Sequence, residues 1–481
     1  MKNALLLAVL LAVPPAHAAD TFTAEQMRQD LRVAHDALVE GHPGVTRFTS
    51  RAELDRAFRD AERQIEKGGD AWAFYRVIAP AVAHVRCGHT AVQLPGALQE
   101  ELTTTHALLP AQVWIEGKKL WVFRDLSTAD GHWAGREVLA IDGRPAPEII
   151  EKITASMPRD GFSETSIATR LHGWRFATQL VRVLGGGPRW TMELRDPRTG
   201  AREIVTAEGR SLPELKKVLA ERFPGDLPPA RPAAIEFLDD GKIARLTIHQ
   251  FGGAMNDSGT VRLGAWLETA FADIDQHGTR ELILDLRGNG GGQDELGRIL
   301  LAHLVDQPFD YYADLVINAP TFSFGRYQAK ADTVPADFVE AWKDGKLHCV
   351  KHPNWGRQQP ARPTFAGRVF VLMDGASFST TCEFLSHVRD LGRATFIGAE
   401  TGGAYVGNTS GFTSEVPLPN TRLVLGIPLM RYDLAVKPVK APGRGIQPDV
   451  PVAATIEERI AGKDPELEVA LKMARTPVAA R

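Results

Sequence analysis

Glu281-Leu-Ile-Leu-Asp-Leu-Arg-Gly-Asn-Gly-Gly-Gly-Gln293 is an apolar run that gives way to a glycine cluster. A short apolar run bounded by turn chemistry reads as a buried strand, predicted over Glu281 to Leu286, and helical spacing resumes from Glu295 to Val305. Glycines between a strand and a helix let backbone N–H groups converge on one spot, which suits an anion or a developing oxyanion. No Gly-Lys-Ser/Thr follows, so this is not a phosphate loop. Gln293 stands where a dinucleotide fingerprint needs its last glycine. Taken alone, the cluster is equally well a flexible strand-to-helix turn.

The same texture recurs further along, in Arg368-Val-Phe-Val-Leu-Met-Asp-Gly-Ala-Ser-Phe-Ser-Thr-Thr-Cys-Glu-Phe-Leu385. A strand is predicted over Arg368 to Met373 and a helix over Thr380 to Leu391. Ser379 lies at the helix start, where the macrodipole and free N–H groups favour developing negative charge. A serine there can act as a nucleophile, with the Thr380 N–H helping to bind an oxyanion. Thr380 and Glu383 also spell a Thr-x-x-Glu capping box, and on this segment alone the capping reading is the stronger. Strands at Ile243 to Phe251 and Ala394 to Gly398, with a helix at Val261 to Gln276, complete the pattern. Such alternation predicts a mixed α/β core over 234–460, with 461–481 as a C-terminal tail. Pro224, Gly225, Pro228, Pro229 and Pro232 mark a linker ahead of it.

The N-terminal half has a different character. Lys2, the apolar run Ala4 to Val13 and Ala16-His17-Ala18 form the three parts of a secretory signal, predicted as 1–18 with a mature start near Ala19. The run is shorter than the about 20 residues a spanning helix needs. The expected location is therefore periplasmic or secreted, without a membrane span. Helical spacing at Thr23 to Glu40, Arg51 to Lys67 and Ala71 to Val85 predicts a helical region over 19–90. A β-rich module is predicted over 91–222, with strands at Ala107 to Ile115 and Lys119 to Phe123. It includes Gly135-Arg-Glu-Val-Leu-Ala-Ile-Asp-Gly-Arg-Pro145, a strand and an Asp-Gly turn, followed by a helix. That string resembles the strand-turn-helix of PDZ domains, which bind an extended peptide as an added strand.

Composition limits what else the chain does. Its 481 residues call for two to four domains. A formal net charge of -3 offers no basic field for a nucleic-acid backbone, so none is expected as a partner. No His-Glu-x-x-His and no Cys-x-x-Cys occurs, so neither a metal nor an organic cofactor is expected. The cysteines are Cys87, Cys349 and Cys382.

Together, the two strand-to-helix segments resemble the core of the C-terminal processing (tail-specific) serine peptidases and their tricorn-type relatives. The carrying residues are Asp285, Arg287, Asn289 and Gly290 to Gly292, then Ser379, Asp390, Gly392, Arg393, Ala394, Gly398 and Thr401, with Gly445-Ile-Gln-Pro-Asp449 like the closing segment. The resemblance implies a crotonase-like (ClpP-like) α/β catalytic core. It also implies acyl transfer through Ser379, with Gly290, Gly291 and Thr380 N–H groups as oxyanion donors and peptides or protein C-termini as substrates. In Thr401-Gly402-Gly403-Ala404-Tyr405, Ala404 occupies the position of the tail-specific branch's lysine base. The tricorn-type branch uses a histidine, and Val85-Arg-Cys-Gly-His-Thr90 resembles its segment, so His89 is the expected general base. His84 and His387 are its rivals. The branch's orienting glutamate is missing at Pro442-Gly443-Arg444, leaving Glu400 and Asp433 as candidates for a third member, with Thr90 or a backbone carbonyl as alternatives. Bringing His89 to Ser379 would also bring Cys87 near Cys382, and a disulfide between them is considered. The alternative function is a non-catalytic protein that binds a peptide or an apolar ligand on the same fold; an esterase is a further possibility.

Overall fold

In the computed structural model, residues 20–127, 132–342 and 345–477 are described; the expected signal segment lies outside them. The centre is a six-stranded sheet. Its order runs Val450–Pro451, Thr395–Gly398, Arg368–Met373, Glu281–Asp285, Ile243–Ile248, Ala233–Leu238. Ala233–Leu238 pairs antiparallel with Ile243–Ile248, and every other pairing is parallel. Parallel strands are covered on both faces, which is why these runs are continuously apolar rather than alternating. Leu282, Leu284 and Val371 pack on one side against Leu267, Leu300 and Leu385 of the helices Leu263–Gln276, Asp294–Ala302 and Thr380–Asp390. Ile283, Phe370, Leu372 and Ile397 face the other side and meet Ala470 and Ala474. Those alanines lie on the helix Pro465–Arg475. The stretch predicted as a tail is therefore the cover of the second face.

Two parallel neighbours, Glu281–Asp285 and Arg368–Met373, end at one edge of this sheet. The segments leaving them, 286–293 and 374–379, consequently lie side by side outside the strand carboxyl ends, where ligands bind in open α/β sheets.

The helical N-terminal stretch forms as Ala24–Gly41, Arg51–Gln64 and Ala71–Ala83. It is bound to the C-terminal half rather than set apart from it. Ala91–Gln93 pairs antiparallel with Val424–Ile427, itself paired with Ser414–Pro417. The buried Asp30 carboxylate accepts from the Asn420 and Thr421 N–H groups at 3.0 and 2.7 Å. Arg47 donates to the carbonyls of Val406 and Asn408, at 3.0 Å each.

Between these parts stands an antiparallel sheet in the order Ala111–Glu116, Lys119–Asp125, Glu137–Ile141, Arg189–Arg195, Arg202–Glu208. The Asp-Gly turn forms as read, with Asp142 and Gly143 at φ 47° and 74°. The predicted β-rich module also contains helices that its sequence pattern did not disclose, at Gly96–Thr104, Ser166–Leu171, Trp174–Leu184 and Leu212–Arg222. A further sheet joins Tyr312–Ile317 to Met430–Leu434. All three cysteines are free and buried, so the considered Cys87–Cys382 bridge is absent. No helix among the described residues is long and apolar enough to cross a membrane.

Candidate active site

Ser379 has φ 56° and ψ -130°, a conformation that side-chain-bearing residues rarely adopt. Such strain persists only where the surroundings over-determine it, and here hydrogen bonds hold both flanks. The Asp374 carboxylate accepts from Gly288, Ala376 and Ser377 N–H groups at 3.0, 2.9 and 3.2 Å. Ser377 Oγ donates to the Leu286 carbonyl at 2.9 Å, and Phe378 N–H to the Asn289 carbonyl at 3.1 Å. Thr380 Oγ1 donates to the Gly292 carbonyl at 2.8 Å. The Ser379 segment is thereby sewn to the glycine loop.

The capping box does not form. Ser379 is the cap residue and makes no side-chain cap bond. Glu383 turns inward, with Tyr312 Oη at 2.8 Å and the Asn408 amide donating to it at 2.6 Å. The helix start at Ser379 is thus left open in front.

The motif residues of the glycine loop serve as clamps. Buried Asp285 accepts from Arg245 and Arg287 at 2.8 and 2.7 Å. Arg287 also reaches Asp464, the cap residue of the covering helix, at 2.6 Å. Asn289 Nδ2 donates to the Ile248 carbonyl at 2.8 Å while its Oδ1 accepts the Gly291 N–H at 2.9 Å. That last bond bears on one expectation: the Gly291 N–H is engaged by Asn289, whereas the Gly290 and Thr380 N–H groups have no hydrogen-bond partner among the described residues. Gly291 is required here for another reason. At φ 103°, an added Cβ would lie 2.7 Å from Ser379 Cβ.

His89 Nε2 lies 3.1 Å from Ser379 Oγ, and its ring stacks on Phe378 at 4.7 Å. The chain arrives there because the strand Ala91–Gln93 pins the segment two residues beyond. Burial, with the nearby Arg170 charge, lowers the His89 pKa to about 4. The imidazole is therefore neutral at pH 7, and a neutral imidazole beside a serine hydroxyl can take its proton.

The other predicted candidates lie elsewhere. His84 is exposed, near the Pro80 carbonyl. His387 is buried, stacked on Tyr311, and bonded to the Tyr311 carbonyl at 2.9 Å. Glu400 accepts from Arg444 Nε and Nη2 at 2.8 Å each and from the Gly445 N–H at 2.9 Å. Asp433 is paired with Arg47 and Arg431 at 2.9 and 2.8 Å. Neither acid reaches His89, because each is consumed in holding other segments together.

Sequence reading missed Asp160. It is 1% exposed, and one carboxylate oxygen accepts the Gly88 N–H at 2.6 Å. A ring nitrogen of His89, a carboxylate oxygen of Asp160 and Cys87 Sγ lie within 4.8 Å of one another. Pro158-Arg-Asp-Gly-Phe162 reads locally as a turn, and nothing in it signals docking onto Arg86, whose carbonyl accepts the Gly161 N–H at 2.9 Å.

Residues 242–452 match the sequence model of Peptidase family S41. No curated protein matches the chain. Among solved structures, mature CPAF is similar at 17% identity and a TM-score of 0.62, covering 94% of this chain and 97% of that one. A CPAF mutant gives 16% and 0.65, covering 95% and 99%. The photosystem II D1 C-terminal processing protease gives 14% and 0.42, covering 89% and 93%. At such identities the CPAF likeness establishes a common fold.

Proposed function

Through residues 242–452 the chain belongs to peptidase family S41, and from that premise we propose an exported serine peptidase that works by acyl transfer through Ser379, with His89 as general base. The observation that carries the reading is the 3.1 Å contact between His89 Nε2 and Ser379 Oγ. His89 takes the hydroxyl proton as Oγ attacks the scissile carbonyl and returns it to the leaving amine; water then repeats the cycle on the acyl-enzyme. The oxyanion forms against the Gly290 and Thr380 N–H groups, at a helix N-terminus whose dipole favours it. No step in this chemistry calls for a metal or an organic cofactor.

The core is proposed to be crotonase-like, and the sheet spanning 111–208 to serve as a PDZ-like module. A cleft of about 740 Å³ between that module and the core supports an extended peptide as substrate. It is lined by Trp114, Phe123 and His172 on one side and by Arg245, Gly288 and Asp374 on the other. It reaches Gly288 at the start of the glycine loop, and Ser379 and His89 are not among its lining residues. The apolar run and Ala-His-Ala site at 4–18 support export, and N-terminal sequencing of secreted or periplasmic material should return Ala19.

A serine-directed fluorophosphonate tests the chemistry. Ser379 should be labelled in the wild type, and labelling should vanish in Ser379→Ala and fall nearly as far in His89→Ala, since such groups act as a unit. An unlabelled wild type would leave the non-catalytic binding protein as the reading. Cleavage of esters but not of peptides would make it an esterase.

A further inference from the structure

Buried polar groups are almost always paired, and an orphan costs about 1–3 kcal/mol. Among the described residues, the buried side-chain atoms without a partner near Ser379 include His89 Nδ1 and Asp160 Oδ2, with Thr90 Oγ1, His42 Nε2 and Thr381 Oγ1 also unpartnered. His89 and Asp160 approach within 4.8 Å, ring nitrogen to carboxylate oxygen. Nε2 already faces Ser379 Oγ, so Nδ1 is the nitrogen that lacks an acceptor. We propose that Asp160 is the positioning residue for His89. Its carboxylate accepts the Nδ1–H, by a small rotation or through one water, and thereby holds the tautomer whose Nε2 lone pair faces the serine. The proposal deepens the peptidase reading and rests on it.

The surroundings prepare Asp160 for this. The Gly88 N–H grips its other oxygen at 2.6 Å, which ties the carboxylate to the residue preceding His89. Its loop is docked by Gly161 N–H on the Arg86 carbonyl at 2.9 Å and by Ser163 Oγ on the Thr401 carbonyl at 3.1 Å. Burial pushes its carboxyl up to about 6, against the Gly88 amide and the charges of Arg47 and Arg170, so it is ionised at neutral pH. Cys87 cannot replace it as acceptor. Its Sγ donates to the Thr409 carbonyl at 3.3 Å, and burial pushes the thiol up to about 12, which keeps it neutral. Arg47, Arg170, His42, Cys382 and Glu383 are the other charged or titratable groups felt near the pair.

The proton count closes without further reagents. The Ser379 proton moves to Nε2 and then to the leaving amine nitrogen, while Nδ1 keeps its own proton and Asp160 stays ionised throughout. An ionised neighbour stabilises the imidazolium formed midway, as a neutral one does not.

The test is Asp160→Asn, which keeps the size and the acceptor for Gly88 but removes the charge and favours the wrong tautomer. The readout is the rate of Ser379 labelling by a fluorophosphonate across pH. The expected result is a fall of roughly 10²-fold or more at neutral pH. The acid limb should also move to lower pH, because the variant has no carboxylate to protonate at about 6 and only His89, at about 4, is left to titrate. A merely structural role would reduce the folded fraction and leave the limb in place. Asp160→Glu should recover part of the rate. A labelling rate like the wild type, or an unmoved limb, overturns the proposal. Should Asp160→Asn not fold, proton NMR of the wild type decides. A low-field Nδ1–H resonance, lost in His89→Ala, supports the contact, and its absence overturns it. Labelling of wild-type Ser379 reports on the peptidase reading separately, whereas the resonance reports on Asp160 whether or not the serine reacts.

Discussion

Adding one methyl group at Gly291 should disable the site while leaving the fold standing. The built Cβ lies 2.7 Å from Ser379 Cβ, 2.8 Å from the Phe378 carbonyl oxygen and 3.0 Å from the Thr380 nitrogen. None of these is the free end of a flexible side chain. Gly291 also has φ 103°, where an L-residue is strained whatever space it has. The positive φ costs about 1–2 kcal/mol and overpacking about 1–3 kcal/mol, so Gly291→Ala should lose roughly 2–5 kcal/mol. The only relief is to push the Phe378–Thr380 backbone away from the loop. A displacement of about 1 Å at reacting atoms costs roughly 10²-fold in rate. Gly290→Ala is the internal control for stability, since its Cβ meets nothing within 4 Å and its φ is not positive. It should change stability by no more than about 0.5 kcal/mol. Urea unfolding of both variants, with fluorophosphonate labelling of Gly291→Ala, measures the two quantities. Should Gly291→Ala label at the wild-type rate, the close packing of loop against nucleophile is not what holds Ser379 in place.

Lysine is not expected to contribute to the reaction: Lys437 is exposed and meets Asp390 at 3.9 Å, so Lys437→Ala and Lys440→Ala should keep activity within about threefold, and a dead lysine variant would transfer the base role from His89. Cys87 and Cys382 are buried with pKa values pushed up to about 12, so native protein should resist iodoacetamide at both and react only once unfolded; a crosslinked Cys87–Cys382 peptide by non-reducing mass spectrometry would contradict the fold around the site. Burial, with the Asp294 charge beside it, raises Glu383 to about 7, so the native state holds a proton that the unfolded glutamate releases. Stability should therefore fall as pH rises from the ordinary glutamate range through about 7; that slope should disappear in Glu383→Gln, as urea unfolding at pH 5 and pH 8 will measure.

The central strands were legible because burial on both faces leaves a continuous apolar signature in Glu281–Asp285 and Arg368–Met373. The helices Ala24–Gly41, Arg51–Gln64 and Ala71–Ala83 were legible from their apolar stripes. Pairings between distant segments left no such trace. Ala91–Gln93 is a strand only because Val424–Ile427 lies beside it, and the short run Tyr312–Ile317 finds its partner in Met430–Leu434. Local rules also misjudged Glu383. Its spacing from Thr380 fits a capping box, but Tyr312 offers it a better partner inside. The Tyr312 hydroxyl stands 2.8 Å from both Glu383 and Asp294. One hydroxyl hydrogen serves only one acceptor, so the second contact needs a proton from a carboxyl group, which agrees with the raised Glu383 pKa.

The candidate site divides in the same way. Ser379 was visible as a small residue at a strand-to-helix junction, yet its chain context could not separate a cap from a nucleophile. The backbone at φ 56° was equally hidden, because it is maintained by Asp374, Ser377 and Asn289, none of which reveals its partner locally. His89 could be suggested only through likeness to a known segment, since 290 residues separate it from Ser379. Glu400 and Asp433 lie away from His89 for a physical reason. Both lie in suitable stretches of sequence, but arginines already satisfy them, and a satisfied carboxylate has little to offer an imidazole. An orienting acid must instead be buried, ionised and short of one hydrogen bond. Among the buried acids near His89, Asp160 meets those conditions, and its unsatisfied oxygen is a property of the folded chain alone.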